Sequence, residues 1–192
     1  MKLPKKENFN EWYDEVLKKA KLIDKRYKIK GLIIHQPWCM LILRGLFNLW
    51  ESALESDDHL PYLFPSLIRE EDFRKQADKI KRFEEEVFFI TQAGSKKLRK
   101  KLVLRPASET IIYPMFSLWI RSWRDLPFKI YQSVQAWRYE SAIKPLLRGR
   151  EFLRTESHSA FTSLDTAKRQ IERDKELAES VFHKLLESLS CF

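Results

Sequence analysis

Residues 132–161 carry most of the chemistry this sequence can offer. Between Arg138 and Arg154 they hold Arg138, Lys144, Arg148, Arg150 and Arg154 against only Glu140 and Glu151. Guanidinium groups are planar forks that meet phosphate or carboxylate oxygens two at a time. Phe152 follows Arg148 by four positions and offers a flat face to a ring. Fixed cations beside an aromatic plate suit a nucleotide. A solvated hairpin rich in arginine is the plain alternative, and spacing alone does not choose between them. The chain has 4 glycines and no Gly-rich phosphate loop, so a nucleotide must be held by side chains.

These groups need a scaffold. Residues 128–139 and 150–161 read as antiparallel strands joined by the arginine loop. Residues 108–123 read as a helix with Ile111, Ile112, Met115, Phe116, Trp119 and Trp123 inward, Ser108 as its cap and Pro114 near its first turn. Residues 86–104 read as a hairpin turning at Gly94. After the turn come Lys96, Lys97, Arg99, Lys100 and Lys101, either a solvated tip or a contact for an RNA backbone.

Upstream, residues 9–22 read as an amphipathic helix capped by Asn10, with Trp12, Tyr13, Val16, Leu17 and Ala20 on one stripe. Residues 32–35 form a short strand that Pro37 ends. A locally rebuilt turn at Cys39 leads to a helix over 39–55 that buries Met40, Leu43, Phe47, Trp50 and Leu54. His35 beside that turn reads as a packed or surface histidine. Residues 59–65 are strand-like, with Pro61 and Pro65 limiting the ladder. Charged helices follow at 69–81 and 165–189. The expected fold is α+β, an antiparallel sheet flanked by helices, in one domain over 1–192.

A chain of 192 residues can bury one proper core. Its composition, 44% hydrophobic and 13% aromatic, excludes a disordered chain. A formal charge of +9 fits nucleic acid or another polyanion as partner, or solubility alone. Cys39 and Cys191 lie far apart without metal-ligand spacing, which implies a reducing compartment and no structural zinc. No apolar run is long enough for a bilayer, and the N-terminus lacks a signal-peptide core. The expected location is cytoplasmic, with no membrane partner.

Several ordered blocks resemble prolyl-tRNA synthetase of the archaeal and eukaryotic type, a class II aminoacyl-tRNA synthetase. Trp137-Arg138-Tyr139-Glu140, then Arg148 and Phe152, resemble motif 2, placed near 132–161. Residues 60–68 resemble motif 1, with Pro65 at the signature proline of an element that builds the dimer interface. Leu104-Arg105-Pro106-Ala107-Ser108-Glu109, residues 116–127, 150–153 and 158–161 extend the likeness.

The resemblance implies ATP-dependent activation of proline and its transfer to tRNA, with Mg2+ on the phosphates. Arg138 is implied at the α-phosphate and the proline carboxylate. Glu140 is implied at the adenine amino group, Arg148 at the terminal phosphates and Phe152 against the adenine. The proline side is implied at Ala107, Glu109, Arg138, Glu156 and His158. Two positions depart from the family: Ala107 stands for Thr, and Arg154 stands for Trp and is expected to turn to solvent or pair with Glu156. Bland readings remain open for single residues. Arg138 with Glu140 reads equally as an ion pair, Phe152 as core, Glu109 as a first-turn acid, and His158 as structural.

The match runs to the closing helix. Motif 3 and an anticodon-binding domain are expected to be absent, which implies a truncated or split proline–tRNA ligase. Such a chain is expected as a homodimer or with a companion chain supplying motif 3. The alternative is a non-catalytic synthetase-like paralogue that binds RNA or protein.

Overall fold

The structure is a computed structural model and describes residues 8–77 and 86–190. In chain order it contains α1 (Phe9–Lys19), β1 (Ile23–Asp24), β2 (Ile34–His35), α2 (Pro37–Glu55), β3 (Leu60–Pro61), β4 (Leu67–Arg69) and α3 (Glu70–Ala77). There follow β5 (Phe89–Ala93), β6 (Lys96–Leu104), α4 (Glu109–Trp119), β7 (Phe128–Trp137), β8 (Glu151–Ala160) and α5 (Leu164–Ser190).

Local chemistry explains most boundaries, and several differ from expectation. Asn10 lies inside α1 instead of capping it, and its Oδ1 accepts from Lys144 Nζ at 2.6 Å. Pro37 opens α2 rather than only ending a strand. The first helical turn has no use for the N–H that proline lacks. The rebuilt turn expected at Cys39 is therefore helix, and Cys39 is buried in it. Residues 59–65 give only the two-residue β3, because Pro61 and Pro65 cannot donate to a ladder. The expected end of the 69–81 helix lies outside the described residues, as does Cys191.

Helix α4 stops at Trp119, short of 123. Trp123 is 71% exposed and begins a separate 3-10 turn capped by Ser122 and Asp125. Pro114 sits in mid-helix rather than in the first turn. Ser108 holds the N-cap position of α4, but its hydroxyl does not cap.

Three small sheets result: β1–β2, β4–β6–β5 and β3–β7–β8. Every pairing is antiparallel except β3 with β7. The long β7–β8 ladder pairs Phe128 with Ala160 and Trp137 with Glu151. Even-numbered residues of both strands therefore share one face. That face packs Ile130 against Phe64, Ile112 and Phe116. The other face meets α2 and its C-terminal end: Tyr131 donates to Glu55 at 2.6 Å, and Lys129 reaches Asp57 at 3.0 Å.

One buried cation joins these pieces. Arg105 is 1% exposed and follows β6. Its guanidinium donates to the carbonyls of Phe64 at 2.8 Å, Pro65 at 3.2 Å and Gln135 at 2.9 Å. Its backbone N–H reaches Ser66, and its carbonyl accepts from Trp137. Burial pushes its pKa down, while the Glu156 carboxylate favours the charge. Arg105→Met keeps the side-chain length and removes the charged donors. It is expected to cost about 3 kcal/mol, read as a lower urea midpoint with unchanged slope.

Candidate functional site

Glu156 is the centre of the even face. It leaves β8 directly opposite Gln132 on β7. One carboxylate oxygen accepts from Gln132 Nε2 at 2.7 Å and from the Ser108 hydroxyl. The other oxygen is paired with Arg154, which is how the unexpected arginine is accommodated. Gln132 also accepts from the Phe64 N–H at 3.1 Å, tying this cluster to the segment after β3. Burial alone would raise the Glu156 pKa. Its contacts with His158, Ser108 and Gln132 and the Arg154 charge outweigh that and hold it at about 2. His158 is buried with its ring edge-on to Tyr113, and its Nε2 lies 3.8 Å from Glu156. That nitrogen has no hydrogen-bond partner at normal distance, and the Glu156 carboxylate is the charge it faces.

Arg138 sits one residue beyond β7, where its N–H donates to Arg150 at 2.9 Å and extends the ladder. Its side chain is on the even face. Nε donates to the Pro106 carbonyl at 3.1 Å, and the guanidinium carbon lies 5.5 Å from the centre of the Phe152 ring. Arginine and phenyl plate therefore meet. Burial, then the charge of Arg154, push the Arg138 pKa down, and the charges of Glu140, Glu86 and Glu109 oppose them. Ala107 and Glu109, half-buried at the head of α4, flank the Pro106 contact through Ser108.

Glu140 and Arg148, expected at opposite ends of a nucleotide, hold each other. Arg148 Nε and Nη2 approach one oxygen of the buried Glu140 at 2.8 and 2.5 Å. The loop carrying Arg148 turns at Leu146, with φ 63°, and is closed by Lys144–Arg148 pairing. Elements from the N-terminal region brace it. Tyr13 donates to the Pro145 carbonyl at 2.7 Å, and Lys144 Nζ sits 4.8 Å from the Tyr13 ring. Arg150 N–H donates to Gly31 at 2.9 Å. Gly31 has φ +80°, and a Cβ there would lie 2.6 Å from Arg150 Cγ, so the close approach needs glycine.

Sequence reasoning missed Arg105, Gln132 and the role of Ser108. The strand register would have shown Gln132, since it lies opposite Glu156. Pro65 is exposed, and its carbonyl accepts from Arg105. Away from this face, Asp57, His59 and Asp174 converge closely enough to suggest a metal site. Lys129, Gln170 and Arg173 already donate to Asp57, and Gln170 donates to Asp174, so those oxygens are engaged.

The comparisons place this geometry among known proteins. The family model for the tRNA synthetase class II core domain (G, H, P, S and T) matches residues 89–190. A proline–tRNA ligase of Thermofilum pendens is 48% identical over 182 residues, covering 95% of this chain and 38% of that protein. One from Pyrococcus abyssi is 45% identical, covering 93% and 38%. The chain thus spans about 38% of the length of these curated relatives. The structure of Giardia lamblia prolyl-tRNA synthetase in complex with prolyl-adenylate superposes with a TM-score of 0.89 at 35% identity, covering 92% of this chain and 36% of that one. That of the Cryptosporidium parvum enzyme with halofuginone and AMPPNP superposes at 0.88 and 31% identity, covering 95% and 36%. Among the described residues, no helix is long and apolar enough to cross a membrane.

The Glu156 cluster has an acid signature. A carboxyl held at about 2 in the fold and near 4.5 when free favours folding at neutral pH. That stability, on the order of 3 kcal/mol, is present above about pH 4.5 and is lost as pH falls toward 2. Urea midpoints across this window should fall steeply for the natural chain and less steeply for Glu156→Gln.

Proposed function

The chain belongs to the class II tRNA synthetase core family (G, H, P, S and T), and on that premise we propose that it supplies the adenylate-forming face of a proline–tRNA ligase. In that reaction the proline carboxylate attacks the α-phosphate of ATP and pyrophosphate leaves. The prolyl group then passes to tRNA. The step needs in-line placement and charge neutralisation more than a general base.

The assignments are those that the family resemblance implies, and the contact between Arg138 and Phe152 supports them. Arg138 neutralises the α-phosphate and the proline carboxylate, and Phe152 stacks with adenine. Glu140 accepts from the adenine amino group. Arg148 takes the terminal phosphates, which requires it to leave Glu140; its 55% side-chain exposure leaves room for that swing. Glu109 receives the proline imino group. Ala107, Glu156 and His158 border the proline ring, with Arg154 neutralised by Glu156. Mg2+ would enter with the triphosphate and neutralise its phosphates. The same reading takes residues 1–192 as one domain, with motif 1 near 60–68 and motif 2 near 132–161. It also implies pairing through the Pro65 segment with a second copy, or assembly with a companion chain, and a cytoplasmic setting with tRNA.

The contact between Arg138 and Phe152 on the face of the Glu156 cluster carries this proposal. Calorimetry with a non-hydrolysable prolyl-adenylate analogue tests it. Saturable binding is expected, weakened at least tenfold by Arg138→Ala, which removes a charge-assisted contact. No saturable heat from the natural chain removes the reading. The closed Glu140–Arg148 pair favours a second one, a synthetase-like module that binds without catalysis, and that module would give no heat with the analogue.

A further inference from the structure

The β5–β6 hairpin is not used by the site on β7–β8. Residues 89–104 contain Lys96, Lys97, Arg99, Lys100 and Lys101 and no acidic residue. All five cations are exposed. Lys100 meets Glu71 at 3.1 Å, but that carboxylate also serves Arg69 at 3.3 Å. Lys96, Lys97 and Arg99 have no carboxylate partner among the described residues. The neighbouring α3 behaves differently: Arg74 pairs with Glu70 and Lys75 with Asp72. Positive charge therefore stays unneutralised on this ribbon, whereas the cations of α3 are paired.

Two further features give that charge a shape. The ladder shifts register between Ile90 and Gln92. Such irregularities bend and twist a ribbon. At its base Phe89 is 40% exposed, with Lys101 Nζ 5.6 Å from the ring centre. Cations that follow a backbone beside an exposed ring are the ingredients of single-strand binding. Unpaired like charges on a ribbon repel one another, and a polyanion relieves that repulsion.

We propose that the β5–β6 hairpin is a docking ribbon for the phosphate backbone of single-stranded RNA, with Phe89 as a stacking face for an unpaired base. The inference rests on the hairpin alone and not on adenylate formation. The test is fluorescence anisotropy of a labelled single-stranded RNA, titrated with the 192-residue chain over a range of salt. Each phosphate contact contributes about 0.7 to the log–log salt slope for single strands. The triple variant Lys96→Gln, Lys97→Gln, Arg99→Gln should therefore flatten the slope by about 2. Phe89→Ala should weaken binding about tenfold with the slope unchanged. Binding of the adenylate analogue should be the same in the triple variant, and RNA docking should survive Arg138→Ala. An unchanged slope in the triple variant overturns the proposal. So does hairpin-dependent binding to phosphatidylserine vesicles with no RNA binding, which would make the ribbon a membrane-surface patch.

Discussion

The guanidinium of Arg105, buried and bonded to backbone carbonyls, is the constraint that the rest of the structure depends on. It reaches Phe64 and Pro65 on one side and Gln135 on β7 on the other. A buried charge of this kind is costly unless its donors are met. Its two terminal nitrogens are met while Nε has no hydrogen-bond partner, and meeting them requires three chain segments, far apart in sequence, to arrive together. Once they do, Gln132 can bond Phe64, Glu156 can bond Gln132, and Ser108 can turn from its own helix to Glu156. Stability and site geometry are thus carried by one connected polar layer.

That layer also explains how the chain tolerates its departures from the family. Arg154, where the resemblance implies tryptophan, brings a positive charge to the even face. Glu156 absorbs it as an ion pair, while the same carboxylate keeps its bonds to Gln132 and Ser108. At the other end of the face, Glu140 and Arg148 neutralise one another. Both ends are closed by internal pairs, and His158, two residues beyond Glu156 on β8, keeps its Nε2 buried without a hydrogen-bond partner. The arginine loop is held from outside by Asn10, Tyr13 and Gly31, so the N-terminal elements brace the loop as well as covering the core.

Much of this was legible before any coordinates. Apolar patterning marked α2, α4, β7 and β8 because burial repeats at the period of each element, and α5 reads as a long charged helix. The density of arginine around Phe152 marked a candidate site, and the resemblance to the synthetase family, not the spacing, chose it over a solvated hairpin. The fold class followed, and antiparallel sheets flanked by helices are what the structure shows. Ends were less legible. Pro37, Ser108 and Trp123 each sat at a position where a local rule allowed more than one role, and packing chose among them.

Register was beyond the sequence. Strands over 128–139 and 150–161 are symmetrical about a pairing one residue away from the real one, Phe128 with Ala160. A one-residue slip turns a side chain to the opposite face. It would have separated Arg138 from Phe152 and Gln132 from Glu156. The sequence by itself determined which residues could act, since residue type is local chemistry. Only the tertiary structure decided which of them share a face and which neutralise each other. Those choices depend on hydrogen bonds between segments such as Arg105 with Phe64 and Gln132 with Glu156, whose partners are distant along the chain and meet only when the whole core closes.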